Sequence, residues 1–132
     1  MNIKDYRELD VYKRAYTLAL EIHKFSLSWP KFELYENGSQ IRRASKSVCN
    51  NIGEGHSRKG VNEFKLFLTY ALASAEEVTI CLDFAHDCGY GTEEQYKYLF
   101  NGYKTICKQL MRYMQSLIRK PATGNRPPDT VL

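Results

Sequence analysis

Four runs of this chain repeat apolar residues at alternating steps of three and four, and no run alternates polar with apolar as a half-buried strand would. The first is Val11, Ala15, Leu18, Ile22, Phe25 and Trp29, and the second Ile41, Ala44 or Ser45, Val48 and Ile52. The third is Phe64, Leu68, Ala71, Ala75, Val78, Leu82 and Ala85. The fourth is Tyr96, Leu99, Tyr103, Ile106, Leu110, Tyr113 and Leu117. Apolar residues at this period line one side of a helix, and that side has to be buried against other helices. The expected fold is therefore all-α, an antiparallel up-down four-helix bundle.

Helix breakers fall between the stripes. Pro30 ends the first helix, since proline offers no backbone N–H and disfavours helix just before it. Lys31 to Gly38 reads as a loop with an Asn37-Gly38 turn, after which Ser39 is placed to cap a second helix running to about Gly55. Gly53 and Gly55 suit a C-terminal cap, and Arg58-Lys59-Gly60 makes a short basic connector. The third helix stops at Gly89, and Thr92 with Gln95 forms a capping box for the fourth. Residues 1–120 are expected to form one domain and 121–132, which hold three of the four prolines, a flexible tail. The fourth helix carries a second apolar row, Phe100, Cys107, Met111, Met114 and Ile118, which fits a broad core stripe and a subunit contact equally well.

A chain of 132 residues needs no second domain. It has no apolar run approaching the ~18 residues of a membrane span, and its first residues lack the apolar core of a secretion signal. A cytoplasmic protein without a membrane partner is expected. The four cysteines, Cys49, Cys81, Cys88 and Cys107, sit inside helical patterns without CxxC spacing, as reduced thiols would.

Charge is zoned. Residues 39–65 hold six bases, Arg42, Arg43, Lys46, Arg58, Lys59 and Lys65, against Glu54 and Glu63, an excess of +4 that equals the formal net charge of the chain. On the second helix the apolar stripe leaves Arg42, Arg43 and Lys46 on the opposite side. Concentrated positive charge of this kind draws polyanions, and Arg42, Arg43, Lys46, Arg58 and Lys59 are the candidate nucleic-acid-binding residues. Charge alone does not separate RNA from DNA, nor a binding surface from a solvated face. Glu54 and Glu77 are placed to pair with Arg42, Arg43 or Arg58, either orienting guanidinium groups or bracing the bundle.

Catalytic patterns are weak. Cys49 and His56 lie seven residues apart, about 10 Å along a helix, too far for direct proton transfer. Glu76 and Glu77 lack the Glu-x-x-His spacing of di-metal bundles, leaving only His86 and Cys88 as conceivable ligands. No catalytic residue, metal or cofactor is expected.

Several motifs also fall in a familiar order: Trp29-Pro30, then Gln40-Ile41-Arg42-Arg43-Ala44, Asn51-Ile52-Gly53-Glu54-Gly55, Arg58, and Ala71-Leu72-Ala73-Ser74-Ala75-Glu76-Glu77. Over about residues 6 to 118 the chain resembles the small four-helix bundle proteins encoded within intervening sequences of bacterial 23S ribosomal RNA genes. Gly53 and Ala73 stand where that pattern has Ala and Gly, and Asn37 where it commonly has an apolar residue. The accessory protein of diversity-generating retroelements looks like a relative, a basic, ring-forming pentamer that binds nucleic acid and a reverse transcriptase. The resemblance implies a bacterial homo-oligomer, a pentamer, with a nucleic-acid partner, RNA ahead of DNA, and no established enzymatic activity. A scaffold that presents the same face to an acidic protein is the alternative.

Overall fold

The computed structural model describes residues 5–118; the tail expected over 121–132 lies outside them. Four helices, α1 (Asp10–Leu27), α2 (Asn37–His56), α3 (Val61–Asp87) and α4 (Glu93–Ile118), run up and down in an antiparallel bundle, with no strand among the described residues. Each helix packs on its neighbour in sequence, and α4 closes the ring against α1. The four apolar stripes meet in one core whose largest fully buried side chains include Tyr103, Tyr113, Phe64, Ile41 and Ile52. Trp29 is buried just beyond the end of α1, edge-on to Phe25 and 5.5 Å from the Tyr90 ring.

The capping box at the start of α4 forms in both directions. The Thr92 amide donates to Gln95 Oε1 at 2.8 Å and the Gln95 amide donates to Thr92 Oγ1 at 3.1 Å. Gly89, with φ +82°, reverses the chain after α3 as an L-residue could do only under strain.

The start of α2 departs from expectation. The helix begins at Asn37, two residues before Ser39, so Asn37-Gly38 is its first turn and not a loop. Pro30 launches a 3-10 turn over Lys31–Glu33 that runs almost directly into the helix. The buried carboxylate of Glu33 then does the capping one turn back, accepting from the Asn37 side-chain amide at 3.0 Å and from its backbone N–H at 3.4 Å. The Tyr90 hydroxyl donates to the other Glu33 oxygen at 2.8 Å, and that bond pushes the phenol up to about 12.

The end of α2 also differs. Gly53 and Gly55 are helical, not positive-φ caps. At Gly55 α2 packs closely on α3: a Cβ there would lie 2.8 Å from Phe67 Cβ and 3.0 Å from Phe64 Cδ1. A Cβ on Gly53 would sit 3.4 Å from the Tyr6 ring, an ordinary contact. Farther along the same seam Ser47 and Ser74 share a hydrogen bond of 2.8 Å.

Of the second apolar row on α4, Phe100 and Met114 are half-buried, Cys107 is buried and Met111 is exposed, while the Ile118 side chain lies outside the described ones. An exposed, mostly apolar row lies instead on α3, where Leu66, Tyr70, Ala73, Ile80 and Phe84 follow a helical period on the side away from the core, interrupted by Glu77.

These contacts order two substitutions. Gly53→Ala should stabilise the protein by about 0.5–1 kcal/mol through helix propensity. Gly55→Ala gains the same propensity, but overpacking typically costs about 1–3 kcal/mol, so it should be less stable than the parent. Urea midpoints in the order Gly53→Ala, parent, Gly55→Ala check this, and a Gly55→Ala midpoint at or above the parent's contradicts it.

Candidate nucleic-acid interface

The five candidate cations divide into two kinds. Arg42 is half-buried and turned into the corner between α1 and α2. Its guanidinium donates to Ser26 Oγ at 3.0 Å and to the Leu34 carbonyl at 2.6 Å, so it ties the helix to the preceding turn. Its place in the helical period puts it beside the α1 flank, where the sequence reading had it on the open face with Arg43 and Lys46. Arg58 is braced as well. One terminal nitrogen donates to Glu54 at 2.8 Å, the other lies 4.0 Å from Glu63, and the guanidinium carbon stands 4.9 Å over the Phe67 ring.

Arg43, Lys46 and Lys59 are the remaining three, and all are exposed. Arg43 and Lys46 share the outward ridge of α2 with Asn50 and Glu54. Lys59 lies on the short connector between α2 and α3, past the helix end at His56, which is about 15 Å of helical rise beyond Lys46. Lys65, the sixth base of the segment, is half-buried on α3.

The two candidate acids also part company. Glu54 pairs with Arg58 one turn later in the same stretch, not across helices. Glu77 accepts from the Gln40 side-chain amide at 3.2 Å, joining α2 to α3 through a neutral partner.

Cys49 is buried and burial pushes its thiol up to about 11, as for Cys81, which keeps both protonated at neutral pH. His56 is buried, with its ring edge-on to Phe64. His86 lies 2.8 Å from a Glu93 oxygen and 3.4 Å from an Asp87 oxygen, and the bond to Glu93 raises its pKa above the usual imidazole range. Among the described residues no three His, Cys, Asp or Glu side chains gather as a metal site would require. No helix there is long and apolar enough to cross a membrane.

Residues 7–112 match the signature of the 23S rRNA-intervening sequence proteins. The chain belongs to that family. A solved structure of a protein of unknown function from the S23 ribosomal protein family of Bacteroides thetaiotaomicron is similar to it. The two are 26% identical, with a TM-score of 0.71, and the match covers 80% of this chain and 98% of the other. Among curated proteins no relative matches the chain. The matched region spans all five candidate cations of this intervening-sequence protein.

The division between braced and open arginines predicts two stabilities. Charge-assisted hydrogen bonds are each worth about 1.5–3 kcal/mol, so Arg42→Ala should cost on the order of 2–3 kcal/mol. Arg43→Ala, at an exposed position, should stay within about 0.5 kcal/mol of the parent. Denaturant unfolding of both variants checks the assignment; equal losses would contradict it.

Proposed function

We propose that this intervening-sequence protein is a non-enzymatic, homo-oligomeric bundle that binds structured nucleic acid, RNA in the first place, in the bacterial cytoplasm. The observation that carries the reading is the set of exposed cations Arg43, Lys46 and Lys59 on α2 and its connector, with Arg42 and Arg58 braced beside them. The exposed residues neutralise phosphates and release counterions, and the braced ones keep the surface in shape. Among the described residues no sheet with base-stacking aromatics accompanies them, so recognition follows backbone and shape.

The bare apolar row on α3 supports self-association, and a ring of five is the assembly that the family resemblance implies. The same row favours the second reading, a scaffold whose assembly presents its basic face to an acidic protein.

Two measurements test the proposal. Affinity for a labelled RNA hairpin should fall steeply with salt, and Arg43→Glu/Lys46→Glu should weaken it at least tenfold and flatten the log–log slope by about 2. Absence of hairpin binding at low salt would rule out the nucleic-acid reading and favour the scaffold. In solution the protein should have a mass several times its 15.4 kDa, reduced by Ile80→Glu/Phe84→Glu; a monomeric mass for the parent contradicts self-association.

A further inference from the structure

The residues that meet across the bundle define its two halves. Gln109 meets Arg14, Gly102 meets Leu18, Ser47 meets Ser74 and Phe64 meets Tyr113. One half comprises residues 5–16, 48–70 and 103–118: the start of α1, the end of α2, the connector, the start of α3 and the end of α4. It holds nine Lys and Arg against five Asp and Glu, an excess of +4. The other half, residues 17–47 and 71–102, holds six against nine, a deficit of −3, with Glu76 at its border, within electrostatic reach of Cys107 in the basic half. The segment 39–65 straddles that division, with Arg42, Arg43 and Lys46 in the acidic half and Arg58, Lys59 and Lys65 in the basic one.

Much of the basic half's excess comes from α4. From Gln95 to Ile118 the helix has no acidic residue, and Lys104, Lys108 and Arg112 are all exposed. They stand one turn apart, about 6 Å of rise at each step, on a spacing comparable with successive phosphates of a polynucleotide strand. Lys97, two turns before Lys104, has Glu93 beside it. Lys104 lies 5.9 Å from the Phe100 ring, and it and Glu76 of α3 both lie within electrostatic reach of Cys107, so the row's one nearby acid comes from the neighbouring helix at its first residue.

A second element extends the row. Gln109, itself buried, accepts from Arg14 Nε at 3.1 Å and so fixes the Arg14 guanidinium at the α1–α4 seam, next in sequence to Lys108 and three residues from Arg112. Arg14 and Lys13 line a groove there with Thr17 and Tyr98; Asp10 is the acid on its rim. Asn101 and Gln115 complete the outward ridge of α4 with polar, uncharged side chains. Met111 is exposed on its α3 flank. The ridge thus offers a line of cations and no row of apolar side chains to insert into a bilayer.

We infer that Lys104, Lys108 and Arg112 of α4, with Lys13 and Arg14 of α1, form a second phosphate-backbone-binding strip, separate from the outward face of α2. It rests on the nucleic-acid reading above and extends it to another side of the bundle. A polynucleotide that contacts the connector at Lys59 and runs along α4 is held by the basic half alone.

The test uses the full chain, a labelled RNA hairpin and anisotropy over a salt series, with polyglutamate as competitor. The variant Lys104→Gln/Lys108→Gln/Arg112→Gln changes only exposed side chains and should keep the parent's circular dichroism and thermal midpoint. It should lose at least tenfold in affinity and flatten the salt slope by about 2–3. The charge-conserving Lys104→Arg/Lys108→Arg should bind as the parent does. If the neutral variant keeps the parent's slope while Arg43→Gln/Lys46→Gln flattens it, the strip is overturned and the α2 site stands. If the parent does not bind the hairpin, both readings fall. If polyglutamate displaces the hairpin as well as unlabelled hairpin does, the strip takes acidic chains in general, and its assignment to nucleic acid is overturned.

Discussion

The approach of α2 to α3 at Gly55 governs where the charges of this protein end up. With no side chain at that position, the backbone of α2 rests against Phe64 and Phe67, and the two helices can be joined by the short connector 57–60. That connector folds Arg58 back over Phe67 and between Glu54 and Glu63, while Lys59, its neighbour in sequence, stays exposed. Along the same seam the Ser47–Ser74 hydrogen bond and the Gln40–Glu77 contact hold α3 with one side on α2. The outer side of α3 is left with Leu66, Tyr70, Ile80 and Phe84 uncovered. One close contact therefore bears on both surfaces that the proposed function needs, a cationic one and an apolar one.

At the opposite corner a polar node replaces close packing. Arg42, Ser26, the Leu34 carbonyl, Glu33, Asn37 and Tyr90 link α1, the turn after it, α2 and the α3–α4 turn. Each group in that node is part-buried, so removing one partner leaves another unsatisfied. This is why two adjacent arginines of one motif, Arg42 and Arg43, have different work: one closes a corner and the other faces solvent.

The helices and their number were legible because burial imposes a period, and the period is written in residue types; Val11 to Trp29 and Phe64 to Ala85 need nothing more. The Thr92–Gln95 capping box was equally legible, since both partners lie within four residues. What was not legible depends on contacts between distant segments. Nothing near Glu33 in sequence says that Tyr90, 57 residues on, will hold its carboxylate at the head of α2. Gly55 reads as a cap until Phe67 is known to lie against it. Summing charge along a linear window found an excess at residues 39–65, yet antiparallel packing sends its two parts into different halves. It also brings the acid-free end of α4 beside the start of α1. A signal was present in the absence of any acid after Glu94 in α4, and it becomes meaningful only once the ridge is known to face outward.

The central claim is that the cations left unbraced by packing are those that meet phosphate, and that they lie mostly towards one half of the bundle. Amine-modification footprinting tests it most directly, with lysine reactivity compared by mass spectrometry in the free protein and in a complex with an RNA hairpin. The account predicts protection of Lys13, Lys46, Lys59, Lys104 and Lys108, with Lys24, Lys31 and Lys97 as reactive as before. Protection confined to Lys24, Lys31 and Lys97, or an unchanged pattern in a complex shown to be saturated, would contradict it.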